Sequence, residues 1–163
     1  MPKHSLQAWC LLLITGLSAS AQPPADTFTV RGTGPPWQAR TAIVPNGLGG
    51  LDRAIVASFP GNARSEPGQF VALSVQVDIP ESGPAELSFA FSDTFTGPTA
   101  GYHFAQVAVA EKVLFERDVA AATERPQAVR FDIREAVPQG GRATVTFRLV
   151  DRKTVTNFPV TVR

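Results

Sequence analysis

The chain has 163 residues, of which 44% are hydrophobic and 18% charged, a composition that fits one globular domain and excludes a disordered tail. Its 15 basic and 14 acidic residues give a formal net charge of +1. This balance argues against nucleic acid, an anionic membrane or another strongly charged partner.

Residues 1–21 have the pattern of an export signal. A basic residue near the start is followed by an apolar stretch from Ala8 to Leu17, and small residues occupy the −3 and −1 positions before Gln22. The apolar stretch has about ten residues, half of what a membrane-spanning helix needs. We therefore expect cleavage between Ala21 and Gln22 and a periplasmic or extracellular protein that does not insert into a membrane.

The single cysteine, Cys10, lies inside this signal. The residues before it do not match the Leu-Ala-Gly pattern of a lipidated cysteine. A processed chain would contain no thiol, which excludes disulfides, thiolate metal ligands and a cysteine nucleophile.

Residues 22–50 are rich in proline and glycine and predict an irregular N-terminal segment. Short strands are expected there only at Phe28–Arg31 and Thr41–Val44. Residues 51–163 are expected to form a β-sandwich domain.

Alternation of apolar and polar residues with a period of two is the strongest signal in residues 51–163, and it predicts strands. In QFVALSVQVDI the apolar phase runs from Val71 to Ile79. The residues on the apolar phase of the later runs, expected in the core, are Leu87, Phe89, Phe91, Val107, Val109, Val129, Phe131, Ile133, Val145, Phe147, Leu149, Phe158, Val160 and Val162. Turn-forming residues separate these runs, and the stretch from Asp118 to Pro126 predicts a helical turn or a crossover between sheets. The pattern indicates an all-β antiparallel sandwich or barrel.

Residues 54–163 resemble the galactose-binding-like jelly-roll β-sandwich modules, the type that many secreted glycoside hydrolases carry as carbohydrate-binding modules. The resemblance rests on VALSVQVDIP, AELSFAFSD, GYHFAQVAVAEKVLFERDVA, AVRFDI and RATVTFRLVDRKTVTNFPVTV in this order. It implies an antiparallel jelly roll, a hairpin that turns at Ala110-Glu111-Lys112, and carbohydrate binding. One fold hosts many functions, so the implication for function is weaker than that for fold.

Many members of this class hold a structural calcium ion between acidic residues near the first and last strands. Here Asp26 and Asp52 lie upstream, but no carboxylate follows Asp151. The acidic ligand near the last strand is therefore missing, and no cofactor or metal is predicted.

The sequence contains two sets of residues that could form an enzyme site. His103 could form a triad with Asp93 and Ser92, but no serine lies in a Gly-x-Ser-x-Gly elbow. Glu116 and Asp118 have a spacing that suits glycoside cleavage. A strand-end histidine that bonds a loop and a solvated strand face opposite Arg117 explain these residues better, so no catalytic residue is predicted.

Sugar binding needs aromatic faces for stacking and polar groups for hydroxyls. The predicted stacking residues are Trp37, Phe95, Tyr102 and Phe104, and the predicted polar ones are Asp93, His103 and Gln106. Trp37 is either a plug at one end of the sandwich or an exposed platform. The face that Tyr102, Phe104 and Gln106 would share is either a ligand groove or is covered by the N-terminal segment.

The sequence therefore favours a non-catalytic ligand-binding module for carbohydrate or a cell-surface glycan, bound at the loop from Ser92 to Gly101. A structural or adhesive envelope domain that contacts other proteins is the alternative, and a small glycoside hydrolase is the third hypothesis. The ligand, the oligomeric state and any partner enzyme are not encoded in a recognisable motif.

Overall fold

A computed structural model describes residues 28–33, 38–45, 51–59, 64–93, 100–119, 123–156 and 160–162. The export signal predicted at residues 1–21 lies outside these ranges. Within them the chain forms twelve strands. They are β1 (Thr29–Thr33), β2 (Gln38–Pro45), β3 (Leu51–Phe59), β4 (Arg64–Ser65), β5 (Phe70–Ile79), β6 (Glu86–Asp93), β7 (His103–Val109), β8 (Lys112–Asp118), β9 (Thr123–Asp132), β10 (Gly141–Asp151), β11 (Val155–Thr156) and β12 (Val160–Val162).

The strands form two five-stranded antiparallel sheets and one small two-stranded sheet. The first sheet has the order β1-β5-β10-β7-β8, the second has the order β2-β3-β12-β6-β9, and β4 pairs with β11. Strands that are neighbours in a sheet are mostly distant along the chain. Apart from the pairs β2–β3 and β7–β8, successive strands of the two large sheets alternate between them. This is the interleaved order of a jelly roll, so the predicted all-β antiparallel jelly-roll sandwich is confirmed.

The core lies between the two large sheets, as the alternation predicts. On β5 the odd-numbered residues from Val71 to Ile79 are buried, and the even-numbered ones are more exposed except Ala72, which is buried as well. β10 pairs with β5 so that Val145 lies opposite Val75 and Phe147 opposite Leu73. Apolar residues on both strands therefore point into the same interior.

Phe89 on β6 is the aromatic centre of this core. It is 2% exposed, and its ring contacts those of Phe115, Phe131 and Phe147 at centroid distances of 5.3, 6.2 and 6.3 Å. Phe115 and Phe147 belong to the first sheet, whereas Phe89 and Phe131 belong to the second. Edge-to-face packing of these rings joins the two sheets.

The hairpin between β7 and β8 forms where it was predicted. Its two loop residues, Ala110 and Glu111, both have positive φ angles, at 47° and 68°, as a type I′ turn requires. A bulge follows on β8, because Val107 pairs with Phe115 while Ala108 pairs with Val113. The extra residue, Leu114, allows Leu114 and Phe115 in succession to pack against the core.

The N-terminal segment is more regular than its composition predicts. β1 pairs with β5 at one edge of the first sheet, and β2 pairs with β3 at one edge of the second. Proline is compatible with such a position because an edge strand has one unpaired side. Residues 22–50 thus contribute a strand to each sheet.

The stretch from Asp118 to Pro126 is the predicted crossover, since it leads from β8 in the first sheet to β9 in the second. A 3₁₀ turn at Ile133–Glu135 follows β9 and is capped by the Asp132 side chain, which accepts from the Arg134 backbone N–H at 2.9 Å. In the ranges described, no helix has the length and apolar character to cross a membrane.

Candidate functional site

The outer face of the first sheet, which points away from the core, carries a row of partly buried apolar side chains. Phe70 on β5 pairs with Val150 on β10, which pairs with Phe104 on β7. All three residues are partly buried. We call Phe70, Val150 and Phe104 the apolar row.

A second row lies beside it, one alternation step away. Arg148 on β10 pairs with Gln106 on β7, and Gln106 pairs with Glu116 on β8. We call Arg148, Gln106 and Glu116 the polar row. Two antiparallel strand pairs fix these three residues side by side, although Arg148 is 42 residues away from Gln106 in sequence.

Hydrogen bonds connect the polar row into one network. The Gln106 amide donates from Nε2 to Oε2 of Glu116 and accepts at Oε1 from Nε of Arg148. Arg152, just after β10, donates from Nη2 to the same Glu116 oxygen. Gln106 is only 4% exposed, so the network orients an amide that solvent barely reaches.

The polar row, together with Phe70 and Val150 of the apolar row, borders an open pocket of about 570 Å³. We call it the sheet pocket. Its lining residues are Gly68, Phe70, Gln106, Val113, Glu116, Arg148, Val150 and Arg152. It therefore combines an apolar wall with carboxylate, amide and guanidinium groups, the combination that binds an amphipathic small molecule.

Hydroxyl and amide groups continue along the same sheet face. A smaller pocket of about 160 Å³ lies there, lined by Thr29, Arg31, Ser74, Val75, Gln76, Glu111, Thr144 and Thr146. Ser74 Oγ lies 3.0 Å from Thr146 Oγ1, and Gln76 Nε2 donates to Thr144 Oγ1 at 2.7 Å. The polar surface thus extends past the sheet pocket onto β1 and β5.

The electrostatics of the sheet pocket keep Glu116 ionised. The hydrogen bond from Gln106, followed by the hydrogen bond and charge of Arg152, lowers the pKa of Glu116 below its ordinary value of 4.5. A general acid for glycoside cleavage needs a raised pKa. The Asp118 carboxylate, the other half of the predicted pair, accepts from the Gly101 backbone N–H at 2.5 Å.

His103 lies in the interior instead of at a ligand-accessible surface. Its side chain is 2% exposed, and Nδ1 hydrogen-bonds to Oδ1 of Asp151, which is fully buried. The physical reason is alternation: His103 is on the same phase of β7 as Ala105 and Val107, and both of these residues are in the core. The described carboxylate that His103 contacts is therefore Asp151.

Tyr102 and Phe104 lie near one end of the first sheet, each beside a cation. Lys153 Nζ is 5.0 Å from the centroid of the Tyr102 ring, and the Arg152 guanidinium is 5.6 Å from that of Phe104. A sugar that stacked on these faces would first displace the cations. Of the residues predicted for binding whose side chains the structure describes, Gln106 is the one that lines the sheet pocket.

The remaining predicted binding residues cannot be placed as side chains. Trp37 and Phe95 lie outside the described residues. Asp93 ends β6 and pairs with Val162 and Thr123, but its side chain is outside the described part. Their roles in binding stay predictions.

No three histidine, cysteine, aspartate or glutamate residues cluster as metal ligands within the part of the chain that the structure describes. Asp26, one of the upstream acidic residues that the family resemblance suggests as calcium ligands, is outside that part. Asp52 lies on β3, and its side chain is not described.

Two arginines of the sheet pocket, Arg148 and Arg152, were not predicted from the sequence. One signal was present: Arg148 lies between Phe147 and Leu149, so alternation directs its side chain to the outer face. The pairing of β10 with β7, which places it beside Gln106, has no counterpart in the local sequence.

No protein-family model matches the chain, and no curated protein matches it. Among solved structures, it is similar to one from a study of promiscuous specificity in carbohydrate-binding modules of the β-sandwich superfamily. The TM-score is 0.50 and the identity 14%, over 83% of the present chain and 54% of the other. The chain thus spans about half the length of that structure, and at this identity the likeness shows a shared β-sandwich fold.

Proposed function

We propose that the protein is a non-catalytic carbohydrate-binding β-sandwich and that the sheet pocket is its binding site. The observation that carries this proposal is the polar row beside Phe70 and Val150 of the apolar row, all bordering one open pocket of about 570 Å³. A pyranose ring has apolar C–H faces and a rim of hydroxyl groups. Phe70 and Val150 offer contact to the faces, and Gln106, Glu116 and the arginines offer hydrogen bonds to the rim.

The chemistry of the pocket favours binding over cleavage. Its one carboxylate, Glu116, is held ionised by Gln106 and Arg152. Cleavage of a glycosidic bond needs a protonated acid opposite a second carboxylate. The structural similarity to a carbohydrate-binding module also supports binding without cleavage.

The proposed setting is outside the cytoplasm, because the sequence pattern of residues 1–21 is that of an export signal. Mass spectrometry of the secreted protein tests this part. A product that begins at Gln22 supports export, and a product that retains Met1 contradicts it.

The test of function is titration calorimetry of residues 22–163 against a panel of soluble polysaccharides and oligosaccharides. We expect at least one ligand with a Kd of about 10 µM to 1 mM, as is usual for an open site with few contacts. Phe70→Ala and Arg152→Ala should each weaken binding by about fivefold or more.

Arg142→Ala is the matched control. Arg142 lies on the same strand and face as Arg148, but its side chain is 72% exposed and pairs with Asp78 outside the pocket. Its removal should leave affinity unchanged. Loss of binding on Tyr102→Ala but not on Phe70→Ala would move the site to the loop from Ser92 to Gly101. No binding across the panel would favour the structural or adhesive alternative.

A further inference from the structure

Arg148 is a cation of the sheet pocket that hydrogen-bonds to no carboxylate of the described residues, although its charge helps to lower the pKa of Glu116. Its Nε donates to the Gln106 amide, and it makes no ion pair with a described residue. Two other surface arginines are compensated by a carboxylate: Arg142 pairs with Asp78 at 3.1 Å, and Arg64 pairs with Glu66 at 3.0 Å. Arg148 is also partly buried, so water screens its charge less than theirs.

The carboxylate that lines the sheet pocket beside this cation already has other hydrogen-bond partners. Glu116 accepts hydrogen bonds from Gln106 and from Arg152. The pocket therefore contains two guanidinium groups and one carboxylate, a local excess of one positive charge in a chain whose net charge is only +1 over 163 residues. The near-neutral composition conceals this local imbalance.

The network also holds Arg148 in place. Because Glu116 takes the amide N–H of Gln106, the amide oxygen faces Arg148 and accepts from its Nε. The terminal nitrogens of the guanidinium make no hydrogen bond within the described residues. A guanidinium held in this way is suited to a planar anion, since it can donate two parallel hydrogen bonds to a carboxylate.

We propose that the sheet pocket binds a carboxylated glycan, such as a polymer of uronic acid, and that Arg148 pairs with a sugar carboxylate. This inference rests on the proposed carbohydrate-binding function and names its ligand class. It replaces the expectation, drawn from net charge, of a partner without strong charge.

A glycan with a carboxylate on each successive sugar could make a second contact with an arginine on the same face. Arg31 on β1 is two strands away from Arg148, with Ala72 of β5 paired to both of them. Two strand spacings correspond to about 10 Å. Arg31 makes no ion pair with a described residue, and the intervening Ala72 has a small side chain that is only 3% exposed. A chain of acidic sugars could then contact both arginines.

The test uses two ligands that differ only in charge: polygalacturonate and the same polymer after reduction of its carboxyl groups to primary alcohols. Titration calorimetry should give about tenfold or more tighter binding of the acidic polymer, the effect of one charge-assisted hydrogen bond. The preference should shrink as NaCl is raised from 0.05 to about 0.5 M, because salt screens the pair.

Arg148→Gln should remove most of the preference, while Arg142→Gln, on the same face of the same strand, should keep it. Binding of the reduced polymer should weaken less than that of the acidic polymer in Arg148→Gln, because only a hydrogen bond to a hydroxyl group is lost, and it should not change in Arg142→Gln. Arg148→Lys should retain part of the preference. If Arg148→Gln does not fold, the affinities of the unmodified protein and of Arg148→Lys for the two polymers still test whether the pocket prefers a carboxylated glycan.

Equal binding of both polymers, or binding of neutral panel members alone, would overturn this inference and leave the proposed function standing. An equal loss of both polymers in Arg148→Gln would also overturn it, because Arg148 would then only support the pocket. Failure of every carbohydrate to bind would overturn the proposed function itself.

Discussion

His103 and Asp151 form a hydrogen bond in the interior between the first residue of β7 and the last residue of β10. Neither side chain is more than 2% exposed. The Asp151 backbone is also anchored, because its N–H donates to the Gln69 carbonyl at 2.9 Å and its carbonyl accepts from Gly68 at 2.8 Å. The end of β10 is thus fixed by both its side chain and its backbone.

We expect Asp151→Ala to lower the free energy of unfolding by about 2 to 5 kcal/mol, since it leaves a buried imidazole without its carboxylate. Urea titration measures this loss. Asp78→Ala is the control, because the Asp78 side chain is 79% exposed in its ion pair and its removal should cost under about 1 kcal/mol. A double-mutant cycle with His103→Ala should show a positive coupling energy; strictly additive losses would mean that the two side chains do not stabilise each other.

Phe89→Ala should lower the free energy of unfolding by about 3 to 5 kcal/mol, because the ring is buried between the sheets and its removal leaves a cavity. Denaturant titration measures it. Val30→Ala, at a position that is 53% exposed, should change stability by under about 0.5 kcal/mol. A loss below about 1 kcal/mol for Phe89→Ala would contradict its central place in the core.

The β7–β8 turn should accept a stabilising change. Ala110 and Glu111 have positive φ angles, which cost an L-residue about 1 kcal/mol each. Replacing the pair with Asn-Gly, the preferred residues of a type I′ turn, should raise the unfolding free energy by about 0.5 to 1 kcal/mol. Thermal unfolding should show a higher Tm. An unchanged or lower Tm would mean that this turn does not limit stability.

The pKa of Glu116 predicts how stability depends on pH. A folded-state pKa below the ordinary 4.5 means that ionised Glu116 stabilises the fold at neutral pH. That contribution should be lost as pH falls through 4.5 and below. The expected size is at most about 1 kcal/mol, because the Glu116 side chain is 38% exposed and water screens its contacts.

Glu116→Gln isolates this contribution. The variant should be less stable than the unmodified protein at pH 7, and the difference should be smaller at pH 3. Urea titrations at the two pH values provide the comparison. A difference that stays constant with pH would show that the charge of Glu116 plays no part.

Alternation made the core predictable. It identified the buried residues of β5, and Val75 and Phe89 are both in the core as expected. The same rule, applied to His103, would have placed it in the interior with Val107. The sequence interpretation instead assigned His103 to a loop site, because it weighed the chemistry of imidazole before the phase of the strand.

The sheet pocket was less predictable, for a topological reason. Gln106 and Glu116 meet through a local hairpin, but Arg148 reaches them only because β10 pairs with β7 in the jelly roll. Local periodicity gives the face on which a side chain lies and not its neighbour across the sheet. The local charge of the pocket is therefore a property of the topology and is invisible in the composition.

Adjacent residues at the end of β10 face opposite sides of the sheet, and this limits how the length of the chain can vary during evolution. Leu149 and Asp151 serve the interior, while Arg148 and Arg152 serve the pocket. Deleting or inserting one residue here would exchange the two sets, burying arginine and exposing the anchor of the strand. β8 already accommodates one extra residue in its bulge. Among natural variants, insertions and deletions should therefore accumulate around the β7–β8 hairpin and be absent from the C-terminal end of β10.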